Sequence, residues 1–314
     1  MINNHLLEGL YKKDKRSIAR LISIIETESD QSFSYLKAVH KRTGRAYRIG
    51  ITGPPGAGKS TITNQISKIF LSQSKSVAII AVDPTSPFTG GALLGDRVRM
   101  NEIGLRNDVF IRSMATRGSL GGLSYKTIDC ADILDAAGFD YIIFETVGVG
   151  QSELDIVKAA DTTIVTLVPE SGDAIQAMKA GLMEIADLFV LNKFDRPAAD
   201  KAFMALQTIL TFHNSESDDW KPVVLKSVAT LNQGIDEIVE TIEEHRTYLI
   251  SNDLFEKKRA ENLKLRVKDI VLEKLTKKLW NTKNSILLET AISDVLSGEL
   301  SPYELAEKII SKLE

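Results

Sequence analysis

Apolar residues form seven short continuous runs in the middle of the chain, and stretches of helical periodicity separate these runs. The runs cover residues 48–52, 77–82, 109–112, 141–144, 163–168, 188–191 and 223–225. Continuous apolar runs, rather than strict alternation, predict strands that are buried on both faces. Strands that alternate with helices indicate a parallel sheet with right-handed crossovers. We therefore predict an α/β fold with a mostly parallel, doubly wound sheet.

Helical patterns flank this region on both sides. Residues 6–42 alternate apolar and charged positions and predict two or three short helices, and strand patterns stop after about residue 245. An i, i+4 ladder typical of a long amphipathic helix follows at Leu263, Val267, Val271, Leu275 and Leu279. Ser301, Pro302 and Glu304 have the spacing of a capped helix start. We predict an N-terminal helical extension (1–45), an α/β domain (46–250) and a C-terminal helical arm (251–314).

Composition and charge add few constraints. The net charge is −3, with 39 basic and 42 acidic residues mixed along the chain, so no charge pattern favours nucleic acid or an anionic membrane. Cys130 is the only cysteine, which excludes an internal disulfide and predicts a packing role in a reducing compartment. The first 14 residues lack the apolar core of a secretory signal, and no apolar run reaches the roughly 20 residues that span a bilayer. We expect a soluble, cytoplasmic protein.

The first predicted strand leads directly into a glycine-rich octapeptide, and a helical pattern follows from Thr61. The octapeptide satisfies G-x-x-x-x-G-K-S and consists of Gly53, Pro54, Pro55, Gly56, Ala57, Gly58, Lys59 and Ser60. In such a P-loop the backbone N–H groups and the helix N-terminus face phosphates, the lysine neutralises the β- and γ-phosphates, and the serine hydroxyl can ligate magnesium. The sequence therefore predicts a P-loop NTPase.

Carboxylates follow two of the predicted strands, at the edge where open parallel sheets place functional groups. Asp83 follows run 77–82, and Glu145 follows run 141–144. Glu145 begins Glu-Thr-Val-Gly, which resembles the Asp-x-x-Gly switch of GTPases, and the N–H of Gly148 would then sense the γ-phosphate. A helix cap and a solvated acid are the alternatives for the two carboxylates, and the P-loop favours magnesium binding for both. Asp96 by its spacing alone is typical of a helix surface.

A second motif predicts which base is bound. Asn192, Lys193 and Asp195 follow run 188–191 in an N-K-x-D arrangement that matches the guanine-reading element of GTPases. A carboxylate at Asp195 can accept from guanine N1–H and the 2-amino group, whereas adenine would leave it unpaired, so guanine is favoured by roughly 10⁴. The segment Ser227, Val228 and Ala229 resembles the loop whose backbone contacts the guanine carbonyl.

Residues 48–195 together resemble the methylmalonyl-CoA mutase-associated GTPases, a family once described as kinases of an amino-acid transport system. The motifs that carry the resemblance are residues 53–60, 81–86, 89–97, 119–122, 145–152 and 192–195. The run 145–152, Glu-Thr-Val-Gly-Val-Gly-Gln-Ser, is highly specific, and the flanking helices also match the layout of the family. The resemblance thus covers nearly the whole chain.

The resemblance implies a GTPase chaperone of an adenosylcobalamin-dependent acyl-CoA mutase, which couples hydrolysis to cofactor loading and protects the mutase. It makes Asp83, Asp96 and Glu145 the magnesium-facing carboxylates, and it places Asp96 and Glu145 on the first and second switches. Residues 172–179 match a third mobile segment linked to signalling toward the mutase, although Pro169, Glu170 and Ser171 precede it where a more basic run is expected. The family's dimeric C-terminal arm implies a homodimer through residues 253–314.

The expected reaction is in-line attack of water on the γ-phosphate, with Lys59 and magnesium absorbing charge. Val149 rather than glutamine follows Gly148, so we predict a slow intrinsic rate that a partner accelerates. A metal-delivery GTPase is one alternative, but the four histidines are scattered and Cys130 is alone. A kinase attached to a transport system is another alternative, and it would require an acceptor site.

Overall fold

The computed structural model describes residues 2–27, 30–83, 101–115, 125–146, 155–169, 181–213 and 220–311. One sheet contains the strands β1 (Tyr47–Thr52), β2 (Val77–Asp83), β3 (Val109–Ala115), β4 (Tyr141–Thr146), β5 (Thr162–Leu167), β6 (Leu188–Leu191) and β7 (Val223–Lys226). Their order is β3-β2-β4-β1-β5-β6-β7, and every neighbouring pair is parallel. The predicted α/β fold is confirmed, and each predicted run overlaps one strand.

The bounds of β3 differ most from the prediction. The apolar run predicts a strand that ends at Arg112, but β3 continues to Ala115. The reason is backbone pairing with β2, which continues through the partners Asp83 and Ala115 at the ends of the two strands. Strand β3 lies at the edge of the sheet, where polar side chains such as those of Arg112 and Ser113 are tolerated.

Helices cover both faces of the sheet and form the C-terminal part of the chain. The α-helices are α1 (Asn4–Tyr11), α2 (Lys15–Glu26), α3 (Asp30–Val39), α4 (Lys59–Ser72), α5 (Asn101–Gly104), α6 (Tyr125–Ala136), α7 (Leu182–Ile185), α8 (Ala199–His213), α9 (Ile235–Ser251), α10 (Leu254–Leu279), α11 (Thr282–Ser297) and α12 (Pro302–Ile310). Short 3₁₀ turns lie at His40–Arg42, Ile156–Lys158 and Ala229–Leu231. The predicted helices before the sheet, the long helix and the capped last helix are all present, and Ser301 and Glu304 form the capping box.

Alternate residues of β1 and β4 contribute to two separate apolar cores. Ile49 and Ile51 of β1 pack with α4 and α9 on one face of the sheet. Ile142 and Phe144 of β4 pack on the other face with α6 and the N-terminal helices. Cys130 is fully buried in this second core, as its predicted packing role requires. Since side chains of a strand alternate between faces, continuous apolar runs are what a sheet covered on both faces needs.

The start of β1 is held by a buried carboxylate. Asp135 of α6 is fully buried and accepts hydrogen bonds from the backbone N–H groups of Gly44, Arg45 and Ala46 at 2.8, 3.1 and 3.0 Å. It also accepts from the Arg48 guanidinium at 3.2 Å. Burial lowers the pKa of Arg48, but its acidic neighbours outweigh burial and raise that pKa above its ordinary value. These bonds anchor the strand that leads to the P-loop.

Two compact units can be distinguished along the chain, residues 1–255 and residues 256–314. The first unit contains the sheet together with the N-terminal helices, and the second contains most of α10 with α11 and α12. The three-part division predicted above stays a prediction. None of the helices in the described ranges combines the length and the apolar composition that a membrane span requires.

Candidate functional site

The P-loop connects β1 to α4, and its glycines are required by geometry. Gly53, Gly56 and Gly58 all have positive φ angles, of +131°, +77° and +92°. A Cβ atom on Gly53 would lie 2.0 Å from the carbonyl oxygen of Thr166, and one on Gly58 would lie 2.3 Å from Nδ2 of Asn192. Larger residues at these two positions would therefore collide with β5 and with the N-K-x-D loop.

Lys59 is the first residue of α4, and its ammonium group lies inside the P-loop. The Nζ atom donates to the carbonyl oxygens of Gly53 at 2.7 Å and Pro54 at 2.9 Å, and the side chain is buried. Helix α4 has 14 residues, and its positive N-terminal end adjoins the same loop. A cation and a helix N-terminus thus converge where a polyphosphate would bind.

Glu145 lies next to the P-loop strand, because β4 neighbours β1 and Glu145 pairs with Ile51. Its side chain is 5% exposed, and the Ser60 hydroxyl of the P-loop donates a hydrogen bond to its carboxylate. The carboxylate and the hydroxyl predicted to bind magnesium are therefore in direct contact. The neighbouring residue Thr146 donates to Thr52 Oγ1 at 2.9 Å, which joins the ends of β4 and β1.

Of the other residues predicted to bind magnesium or the γ-phosphate, only Asp83 lies within the described part of the chain. Asp83 is the last residue of β2, and β2 neighbours β4 on the side away from β1. Because the strands are parallel, their carboxyl ends meet at one edge, and Asp83 and Glu145 follow that rule. Asp96, Gly148 and the segment 172–179 lie outside the described residues.

Asn192 connects the P-loop with the two loops predicted to read the base. Its Nδ2 atom donates to the carbonyl oxygen of Ala57 at 2.8 Å. Its Oδ1 atom accepts from the Ser227 hydroxyl and from the Ala229 N–H, both at 3.1 Å. The side chain is buried, so these three bonds are formed away from bulk water. The structure thus brings together the predicted residues of the phosphate and base motifs.

The rest of the N-K-x-D loop has an unusual backbone. Lys193 has a φ angle of +58°, in the left-handed region that non-glycine residues rarely adopt. Phe194 donates its backbone N–H to the carbonyl oxygen of Ser227 at 3.0 Å, and Asp195 is exposed. On the other side, Gln65 of α4 donates to the carbonyl oxygen of Ala229 at 3.2 Å. The N-K-x-D loop is therefore bonded to the segment 227–229, and that segment is bonded in turn to α4.

Sequence patterns do not indicate two features of this site. The Thr52–Thr146 contact joins residues of different strands, and only knowledge of the strand order would have indicated it. The second feature is an aromatic pair beside the base loop, formed by Phe194 and Phe203. Phe194 occupies the variable position of N-K-x-D, so the motif itself gives it no role. Among the described residues, no cluster of three or more His, Cys, Asp or Glu side chains could hold a metal ion.

Comparisons with known proteins agree with the predicted resemblance. A model of the family described as "Methylmalonyl Co-A mutase-associated GTPase MeaB" matches residues 18–284. A putative GTPase of Pyrococcus horikoshii is 45% identical over 99% of this chain and 98% of its own length. The mouse protein named "Methylmalonic aciduria type A homolog, mitochondrial" is 30% identical over 98% of this chain and 78% of its own length.

A solved structure agrees as well. The structure titled "Crystal structure of LAO/AO transport system kinase" has a TM-score of 0.74 and 26% sequence identity, and it covers 100% of this chain and 99% of its own. Such a P-loop fold implies binding of GTP and GDP. The matched residues include both the P-loop and the N-K-x-D loop. These comparisons show that the chain is a P-loop GTPase and belongs to the methylmalonyl-CoA mutase-associated GTPase family.

Proposed function

We propose that this GTPase is a chaperone of an adenosylcobalamin-dependent acyl-CoA mutase of the methylmalonyl-CoA mutase type. In this proposal GTP hydrolysis is coupled to loading of the intact cofactor and to protection of the mutase. The observation that carries the proposal is the family match over residues 18–284, because the family is described by its association with that mutase. The name of the mouse relative, which refers to methylmalonic aciduria, gives further support.

Lys59 is the group that we expect to act on the phosphates. Its buried Nζ atom lies among loop carbonyls at the start of α4, where it would neutralise the charge that develops during attack of water on the γ-phosphate. We propose Lys59, Asp96 and Glu145 as the catalytic residues. The backbone of residues 53–61 and the N–H of Gly148 would bind the phosphates.

A magnesium ion fits the oxygen atoms at the end of β4. Magnesium prefers hard oxygen ligands, and the Ser60 hydroxyl and the Glu145 carboxylate are adjacent there. We propose that Ser60, Asp83, Asp96 and Glu145 hold or face this ion. When bound, the ion would offset the negative charge of the phosphates.

Guanine would be read by the second pair of loops. We propose that Asp195 accepts from guanine N1–H and the 2-amino group, and that the stem of Lys193 covers the ring. Asn192 holds the loops together through three protein hydrogen bonds, which supports a positioning role for it. The segment 227–229 would offer backbone groups to the guanine carbonyl. Asp195 is exposed and can therefore meet a ligand.

The C-terminal unit supports a second proposal, that of a homodimer through residues 251–314. Four apolar side chains of the α10 ladder, those of Leu263, Val267, Val271 and Leu275, are between 47% and 59% exposed. An apolar ladder on a helix surface is stabilised when a second helix covers it. Light scattering would test this proposal, since Val267→Glu should convert a dimer into a monomer. A mass of one chain for the unchanged protein would contradict it.

The decisive experiment measures GTP hydrolysis by the purified protein with and without a purified mutase. Methylmalonyl-CoA and isobutyryl-CoA mutases should both be tried, because the GTPase motifs do not distinguish these two clients. Lys59→Ala is the blank, and Lys201→Ala on the exposed surface of α8 is the matched control. We expect slow hydrolysis alone and faster hydrolysis with the correct mutase, and Lys59→Ala should lose both.

The same experiment separates the chaperone from a kinase. A GTPase releases the γ-phosphate as inorganic phosphate, whereas a transport-linked kinase transfers it to an acceptor. Radiolabelled γ-phosphate that remains on a protein would favour the kinase. A hydrolysis rate that no such mutase changes would leave a GTPase with a different client and would contradict the chaperone proposal.

A further inference from the structure

A lysine stands over two aromatic rings beside the N-K-x-D loop. Phe194 of the loop packs edge-to-face against Phe203 of α8, with ring centroids 6.0 Å apart and planes at 85°. The Nζ atom of Lys226, the last residue of β7, lies 4.5 Å from the centroid of Phe194 and 4.3 Å from that of Phe203. Both distances are within the range of cation–π attraction. One cation therefore contacts both rings of the pair.

The contact of Lys226 with the two rings lies beside a loop whose backbone has an unfavourable conformation. Lys193 and Ala198 have φ angles of +58° and +67°, and such left-handed non-glycine residues persist only where their surroundings hold them. Phe194 follows the first of them directly. Its backbone is held by the bond to Ser227, and its ring is held by Phe203 and Lys226. The next residue is Asp195, whose position depends on that of Phe194.

We propose that Lys226 is a positioning residue for guanine recognition. Its ammonium group, through the rings of Phe194 and Phe203, holds the loop 193–198 in the conformation that presents Asp195 to the base. The inference rests on the proposed function, in which Asp195 reads guanine, and it deepens that function. It adds a residue outside both nucleotide motifs to the set that determines the choice of nucleotide.

Other roles for Lys226 are less consistent with its surroundings. Its ion pair with Asp200 spans 3.9 Å and joins a half-exposed lysine to a carboxylate that is 90% exposed, so solvent weakens that attraction strongly. The aromatic rings are partly buried in the core that β5, β6 and α8 form. The methylene stem of a lysine can also pack against rings without using its charge. Methionine keeps such a stem and lacks the charge, so it separates packing from cation–π attraction.

The test compares nucleotide binding of Lys226→Met with that of the unchanged chain. Affinities for GTP and GDP are measured by competition with a fluorescent GDP analogue, and ATP is measured in the same way. We expect GTP and GDP to bind about two- to fivefold more weakly, because the cation–π attraction of a half-exposed lysine is modest and fewer molecules hold the loop in its competent conformation without it. ATP, held mainly through its phosphates, should bind as before. KM for GTP should rise by the same factor while kcat at saturation stays unchanged.

Two matched variants control for charge and for general damage. Lys226→Arg keeps a cation that can lie over the two rings, and it should retain most of the affinity for GTP. Lys221→Met removes an exposed lysine from the segment just before β7 and should change nothing. An equal loss of affinity for GTP and ATP in Lys226→Met would indicate a general structural defect and would overturn the inference, as would unchanged GTP affinity.

Asp195→Ala distinguishes failure of this inference from failure of the proposed function. If Asp195→Ala leaves the preference for GTP over ATP intact, Asp195 does not read guanine, and both proposals fail. If Asp195→Ala abolishes the preference and Lys226→Met does not reduce it, only the role of Lys226 is wrong. In the double variant, we expect no further loss beyond that of Asp195→Ala, since Lys226 acts through Asp195. Additive losses would contradict that route.

Discussion

Replacement of Asn192 by alanine should weaken both the fold and nucleotide binding. The change removes three hydrogen bonds, and each leaves a buried partner unsatisfied: the carbonyl oxygen of Ala57, the hydroxyl of Ser227 and the N–H of Ala229. An unsatisfied buried polar group costs about 1–3 kcal/mol. Even the lower value gives a loss of about 3 kcal/mol in the free energy of unfolding.

The expected shift in melting temperature follows from the size of the unit. For a unit of more than 150 residues, each kcal/mol lowers the midpoint by about 2–4 °C, so Asn192→Ala should melt about 6–12 °C lower. Ser227→Ala is the graded control, because it removes only one of the three bonds. It should lower the midpoint by about 2–4 °C. Circular dichroism at increasing temperature measures both variants.

Binding of GDP provides the second measurement. Asn192 joins the P-loop to the base loops, so its loss should make the two halves of the site move independently and weaken GDP binding at least about tenfold. Isothermal titration calorimetry on the folded protein at low temperature measures this affinity. If Asn192→Ala melts no lower than Ser227→Ala and binds GDP equally well, the three bonds do not couple the loops and our reasoning is refuted.

Three further changes test other parts of the structure. Gly58→Ala would place a Cβ atom 2.3 Å from Asn192 Nδ2, so the GDP affinity measured by calorimetry should fall at least about tenfold. Gly44→Ala is the control, because Gly44 has a similar φ of +91° and open space around it, and this change should leave the GDP affinity unchanged. Asp135→Ala should lower the free energy of unfolding by about 3–5 kcal/mol. A loss of about 1 kcal/mol would already lower the thermal midpoint by about 2 °C, so a smaller shift than that would count against the buried role of Asp135. Hydrogen bonds from the N-cap residue Ser301 lower the pKa of Glu304. Its carboxylate therefore stabilises α12 at pH values above the unfolded pKa of about 4.3, and this stabilisation is lost as the pH falls through the folded pKa. An NMR titration of Glu304 should show a midpoint below that of an ordinary glutamate.

The sequence predicts those parts of the site whose residues are adjacent in the chain. The P-loop occupies residues 53–60, and its phosphate-binding chemistry follows from their order and from the strand and helix beside them. The seven strands are equally visible, because a sheet covered on both faces needs mostly apolar residues along its strands. The ends of β3 and β4 are the exceptions, since pairing with β2 continues beyond the apolar run of each strand.

Contacts between distant residues could not be predicted in this way. His245 appears in the sequence as one of four scattered histidines, yet it is 1% exposed in the structure. Its Nδ1 atom lies 2.8 Å from Thr162 Oγ1, which is 83 positions away, and Nε2 lies 3.4 Å from Asp187 Oδ1. Such a network depends on which strands are neighbours, and apolar patterns contain no strand order. The same reason explains why Lys226 and Phe203 were not expected beside the base loop.

The two hydrogen bonds of Lys59 within the P-loop have a consequence for which anions the loop accepts. The ammonium group has three N–H donors, and two of them serve the carbonyl oxygens of Gly53 and Pro54, so an anion that takes more than one bond from Nζ must replace a loop acceptor. A single small anion gains little from such an exchange. A chain of phosphates gains more, because its several charged oxygens meet the lysine, the loop N–H groups and the helix end at once. The loop's own carbonyls therefore compete with abundant small anions and favour polyphosphates.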